Sequence, residues 1–122
     1  MRQIAALLRR CHVFLFSQVN PPCPNAVLEA VATGLPVVSF DSGSAAELLP
    51  FSTELLAPVA SDNVFQQLAD LRAEVLADKI TLAVENLPRF QSVAREHAND
   101  YAFARCGYAY REVFARVLNG RV

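Results

Sequence analysis

The chain has 122 residues, 53% of them hydrophobic and 19% charged, with a formal net charge of −1. That length is one domain's worth, and that hydrophobic content excludes a disordered chain. The near-neutral balance, with Arg9 and Arg10 the only adjacent basic pair, gives no electrostatic case for nucleic acid or an anionic membrane.

In chain order, residues 2–11 read as an amphipathic helix, with Ile4, Leu7, Leu8 and Cys11 at i, i+3, i+4 and i+7. Val13–Phe16 is wholly apolar, as expected of a strand buried on both faces of a parallel sheet. Residues 17–23 form a loop. Pro24 suits the first turn of a helix, where its missing N–H is no loss. That helix runs to about Thr33 and ends at Gly34, and Pro36 opens a second buried strand to Phe40. Asp41–Ser44 is a turn that caps a short helix at 44–49, and Glu54–Ala57 is a third short strand. Ser61 or Asp62 caps a helix over 62–76, and 78–87 is helical up to a stop at Pro88. Residues 89–103 and 105–119 supply two more helices, with apolar stripes of Phe90, Val93, Ala94, His97 and Tyr101, then Cys106, Tyr110, Val113, Phe114 and Val117. Helices alternating with short buried strands over the first half predict an α/β fold. The expectation is a partial Rossmann-like three-layer unit with a short parallel sheet and a helical second half. It forms one domain over 1–122.

The three cysteines, Cys11, Cys23 and Cys106, show no CxxC spacing. No metal site or cofactor is expected. An odd thiol count, together with an N-terminus that makes a poor signal peptide, places the expected location in the cytoplasm. No run reaches the length of a membrane span.

Ligands of open α/β sheets bind outside the carboxyl ends of the strands. The loop 17–23 leaves such an end and delivers a helix N-terminus at Pro24. The free N–H groups of Asn25 and Ala26 there suit a diphosphate. Glu29 follows a little over one turn later. Plainer readings compete at each position. Gly34-Leu35-Pro36 is a sufficient helix stop, and Asp41-Ser42-Gly43 is a sufficient turn and cap. Cys23 reads as a packed loop residue, because no histidine stands beside it in sequence. His12 and His97 read as structural, and the tyrosines of YAFARCGYAY as packing.

The segment PCPNAVLEAVATGLPVV, residues 22–38, resembles the donor-binding region of retaining GT-B glycosyltransferases of the group 1 family. Glu29 falls on the second glutamate of that family's E-x7-E motif. Gly34, Pro36, Val37 and Val38 match the G-x-P-V-V that follows. Asp41, Gly43 and Glu47 match its next loop, and LLAPVASDNVFQQLADL resembles its PVADPEALA segment. The resemblance implies the second half of a C-terminal donor-binding domain. Glu29 would take the ribose hydroxyls of a nucleoside diphosphate sugar of UDP or GDP type, which a carboxylate can accept in pairs. Pro24, Asn25 and Ala26 would hold the diphosphate, with Cys23, Asp41 and Gly43 as further donor-site loop residues. No catalytic residue is assigned.

Three departures stand against the pattern. Pro21 occupies the place of the motif's first acid, which by resemblance contacts the sugar. Ser17-Gln18 replaces the usual Pro-Ser. The acceptor-side domain and the front half of the donor domain have no counterpart in the chain. The first expectation is therefore a fragment or subunit of a glycosyltransferase, inactive alone and completed by a partner chain. The alternative is an inactive remnant that dimerises or binds a protein through its incomplete sheet edge. A generic Rossmann-like nucleotide binder of another family fits less well, because no GxGxxG phosphate loop is present.

Overall fold

The computed structural model describes residues 2–60 and 71–120. Its first half contains α1 (Arg2–Leu8), β1 (Phe14–Phe16), α2 (Asn25–Ala32), β2 (Val37–Phe40) and α3 (Ala45–Leu48). A 3-10 turn, Thr53–Leu55, leads into β3 (Leu56–Ala57). The helices α4 (Ala73–Glu85), α5 (Leu87–Glu96) and α6 (Phe103–Leu118) follow.

The strands form one parallel sheet in the order β1-β2-β3. Phe14 is paired with Val37 and Ser39 with Leu56. Side chains along a strand alternate between faces, and the two halves of the core divide accordingly. Val37 and Leu56 pack with Leu8, Val27, Ala30, Val31, Leu48 and Leu49 under α1, α2 and α3. Val38, Phe40 and Ala57 pack with Leu55, Leu76, Ala83 and Phe90 under α4 and α5. The result is the expected α/β unit, a short parallel sheet between two helical layers.

Every residue of the central strand β2 is buried, as a doubly covered parallel strand requires. β1 departs from that expectation. Among the described residues it pairs only with β2, and Leu15, opposite Val38, is 48% exposed. Its apolar run fits a strand made for covering on both faces, yet one face is open at Leu15.

Helix α2 ends as Gly34 predicted. The N–H of Gly34 donates to Val31 O at 2.9 Å and that of Leu35 to Ala30 O at 3.1 Å. This is the paired closure of a helix whose next residue is left-handed. Gly34 has φ +75°, and a Cβ there would sit 2.7 Å from Cγ of Arg95.

Several boundaries differ from the sequence reading. The helix expected over 62–76 falls largely outside the described residues. Its last part, from Ala73, belongs instead to α4, which begins there because Arg72 before it is extended and runs unbroken to Glu85. Pro88 does not end that helix. Asn86 does, and Pro88 opens α5, where its lack of an N–H is harmless. In α1 Leu8 is buried, while Ile4 and Leu7 are exposed and Cys11 lies beyond the helix. His12 is exposed rather than structural. The stripe on α6 is real but uncovered: no residue of α6 is buried, and Tyr110, Val113, Phe114 and Val117 are all exposed.

Candidate functional site

At the carboxyl end of β1 the chain turns through Asn20, which holds φ +52°. The loop after β2 comes back to meet it. The Asn20 N–H donates to Oγ of Ser42 at 2.9 Å. The N–H and the hydroxyl of Ser44 both donate to the carbonyl of Pro21, each at 3.1 Å. Gly43, at φ +57°, lies so close that a Cβ there would be 2.6 Å from Pro21 O. Pro21 is less than 2% exposed. The two loops are thus clasped across the gap between the strand ends, and position 21 faces the protein interior. That is the structural meaning of a proline where the resemblance expects an acid.

Beyond the clasp, Pro22 and Cys23 are exposed and Pro24 caps α2 without a side-chain bond. The first helical donors to find an acceptor are the N–H groups of Val27 and Leu28, both on Pro24 O, at 3.0 and 3.4 Å. Those of Asn25 and Ala26 have no acceptor among the described residues, as the start of a helix dictates. Both residues are exposed. The partial positive charge of these groups makes the end of α2 an electrostatic match for a phosphate.

Glu29 lies four residues further, roughly 6 Å along the axis at helical rise. It is exposed and makes no side-chain hydrogen bond or ion pair among the described residues. It borders an open groove of about 270 Å³ between α1 and α2, with Ile4, Ala5, Leu8 and Arg9 on one wall and Glu29, Ala32 and Thr33 on the other. Most of that lining is apolar. A carboxylate at the edge of an apolar cleft can accept from two hydroxyls while a flat ring packs beside it.

The structure therefore gathers Cys23, Pro24, Asn25 and Ala26 at the start of α2 and places Glu29 further along it, on the groove beside α1. Gly43 belongs to the clasp. The N–H of Asp41 donates to Ala57 O at 2.8 Å, extending the pairing of β2 with β3, and its side chain is exposed. Cys23 is exposed rather than packed. His97 is half-buried; its ring stacks on Phe51 with centroids 4.2 Å apart, and its Nδ1 lies 2.6 Å from Oδ2 of Asp100. Tyr101 donates to Leu48 O at 3.0 Å. Burial pushes its phenol up, with smaller additions from Asp100 and Cys23. These groups fasten the start of α6 to the end of α3. Sequence reasoning missed Asn20, Ser42 and Ser44, and also the α1 wall of the groove. The signal for the clasp was a polar, turn-prone residue in each loop; only three-dimensional contact pairs them.

The fold is a partial Rossmann-like α/β unit, with the clasp and the exposed start of α2 at the carboxyl ends of its parallel strands. Comparison with known families makes this specific. The model of the family described as Glycosyl transferases group 1 matches residues 1–86, and the chain belongs to that family. The match takes in α1 to α4, the clasp and the groove. No curated protein and no solved structure matches the chain. Among the described residues no helix is long and apolar enough to cross a membrane.

Proposed function

We propose that this chain supplies the nucleotide-holding part of the donor site of a glycosyltransferase, one that moves a sugar from a nucleoside diphosphate carrier. Family membership supports the glycosyltransferase class. The arrangement of α2 supports the finer reading: N–H groups at its start and then the Glu29 carboxylate on a largely apolar groove, neither with a partner among the described residues. In this reading Asn25 and Ala26 hold the diphosphate through backbone N–H groups, with Pro24 fixing the entry of the helix. Glu29 accepts from the ribose hydroxyls, and Ile4, Ala5 and Leu8 give the base an apolar wall. Cys23 and Asp41 border the ligand.

We adopt the placement that the resemblance implies, the second half of the C-terminal domain of a retaining GT-B enzyme. In this reading a partner chain provides the acceptor side. Its exposed thiols suit a reducing compartment, and we place it in the cytoplasm. Isothermal titration with UDP and with GDP tests the reading. Binding of one of them, weakened at least tenfold by Glu29→Ala, supports it; no heat with either nucleotide removes it.

A second reading has its own observation. α6 buries no residue, and Phe103 is 93% and Leu118 85% exposed, while β1 pairs on one side only among the described residues. An amphipathic helix of 16 residues gains most of its stability from packing. This favours an association module, whose faces are covered by a second copy or a complementing chain. Light scattering across a concentration series separates the two: a dimer that ignores nucleotide supports association, and a nucleotide-binding monomer supports the donor site.

A further inference from the structure

We propose that the chain pairs with a second copy of itself through α6, the two helices running antiparallel with Phe114 of each seated over Gly107 of the other. This rests on the association reading above and names its partner; the donor-site reading is independent of it.

Phe103, Gly107, Tyr110, Phe114 and Leu118 recur at i, i+4, i+7, i+11 and i+15, which puts them in one column along α6. All five are exposed, and α6 buries no residue at all. Val113 and Val117 border the column and are exposed too. Arg105, Glu112 and Arg116 fall on the opposite face, so the column carries no charge. The rings of Tyr110 and Phe114 stack, with centroids 6.5 Å apart, into one ridge. Three aromatic side chains of about 150–250 Å² each, all largely open to solvent, expose several hundred Å² of apolar surface, the size that marks an interaction face.

The area of the whole chain agrees. A compact monomer of 13.4 kDa exposes about 6,500 Å², and this chain exposes 8388 Å². The surplus exceeds the ~800 Å² that each partner of a standard interface covers.

The column is complementary to its own reverse. Turned end for end, it sets Phe103 opposite Leu118 and Phe114 opposite Gly107, with Tyr110 beside the two-fold axis. A parallel pairing would set ring on ring at 103 and 114 and leave a void at 107. Antiparallel helices also bring opposite ends of their dipoles together, and a two-fold contact closes as a dimer. Gly107 has no reason within the chain. Its φ is not positive, and a Cβ there meets nothing within 4 Å, yet glycine weakens a helix interior. A ring from a second copy, seated on that hollow, supplies the reason. A fluid lipid surface takes any apolar outline and needs no hollow.

The test is sedimentation equilibrium of the whole chain from micromolar to millimolar concentration, with circular dichroism to verify folding. The native chain should dimerise. Phe114→Glu removes no core contact, because α6 buries nothing. It should raise the dimer dissociation constant about thirtyfold or more, as loss of an interface hot spot does. Glu112→Gln, on the opposite face, should leave it unchanged. Oxidative cross-linking reads the orientation, in a background of Cys11→Ser and Cys23→Ser. The two copies of Cys106 should not cross-link, because they lie roughly 13 Å apart along the antiparallel axis, beyond a disulfide's reach of about 7 Å. Tyr110→Cys, combined with Cys106→Ser, should cross-link across the two-fold axis. A dimer that Phe114→Glu leaves intact, or one that cross-links through Cys106, overturns this inference and leaves association standing. A monomer at every concentration overturns both. A monomer that instead binds vesicles of phosphatidylcholine and phosphatidylglycerol in equal parts overturns both in favour of a membrane face.

Discussion

Replacing Gly43 with alanine should be among the most damaging single-methyl changes in the molecule. The backbone at 43 is left-handed, φ +57°, which any residue with a Cβ resists by roughly 1–2 kcal/mol. The new Cβ would stand 2.6 Å from Pro21 O and 2.7 Å from Asn20 C, where ordinary contact begins at 3.4 Å. Both obstacles are backbone, so no side chain can swing aside. The loops must part by about 0.8 Å, the difference of those two distances. Bonds of 2.9 and 3.1 Å cannot survive that separation, and each contributes about 1 kcal/mol or somewhat less in part-exposed surroundings. Together these terms give a loss of about 3 kcal/mol. Gly107 provides the control. It lies within α6, and a Cβ there meets nothing within 4 Å. Gly107→Ala should stabilise the helix by about 0.5–1 kcal/mol. Urea unfolding at constant slope reads both values. A loss under 1 kcal/mol for Gly43→Ala, or equal losses at the two glycines, would refute the clasp as a rigid element.

Other expectations follow from the same geometry. Leu49→Ala, at a side chain 1% exposed in the core between the sheet and α1–α3, should cost about 2–5 kcal/mol in urea unfolding. Ser52 carries a buried hydroxyl with no hydrogen-bond partner among the described residues; Ser52→Ala should be neutral or stabilising by about 1 kcal/mol, and a loss above 1 kcal/mol would contradict that assignment. Arg89 grips Glu54 through two bonds of 3.0 and 2.6 Å. That hydrogen bonding first, then the charges of Arg89 and Lys79, hold the Glu54 carboxyl below its ordinary value. The pair's contribution is therefore complete above the ordinary carboxylate range and is lost as acid takes the pH down through the folded-state value. Carboxyl NMR should show the Glu54 midpoint rising in Arg89→Met, and high salt should narrow the difference, because both groups are exposed. The same titration should find Asp100 lowered, first through its hydrogen bond from His97 and then by Arg105, and restored upward in His97→Ala.

Much of this fold could be read from residues alone, for identifiable reasons. Val37-Val38-Ser39-Phe40 sits between a helix stop and a turn, and so few residues leave a buried strand little alternative. Gly34 announced both the end of α2 and its left-handed backbone. Pro88 misled because proline carries the same signal at the end of one helix and the start of the next; only the cap at Asn86 decides which. The stripe on α6 was legible as a stripe, but periodicity says which face is apolar, not whether anything covers it. Leu15 failed for the same reason at the sheet edge.

The site was legible in part. Pro24, Asn25, Ala26 and Glu29 share one short helix, so their spacing fixes their relation. Gly43 was recognised only as a turn residue. Its partner, Pro21, lies 22 positions away, and the closeness of those two backbones exists only after β1 and β2 pair. Arg9 and Ile4 come to share a groove with Glu29 by the same route, through the placing of α1 beside α2.

The most direct test of the account is a two-dimensional amide NMR titration of the whole chain with UDP and then GDP, beside Glu29→Ala. The account predicts dispersed spectra for both proteins, with shifts concentrated at 23–29 in the native chain and absent, or weakened at least tenfold in affinity, in the variant. Dispersed spectra that neither nucleotide moves would contradict it, and would leave a glycosyltransferase-family fold retained for association through α6 and the edge of β1.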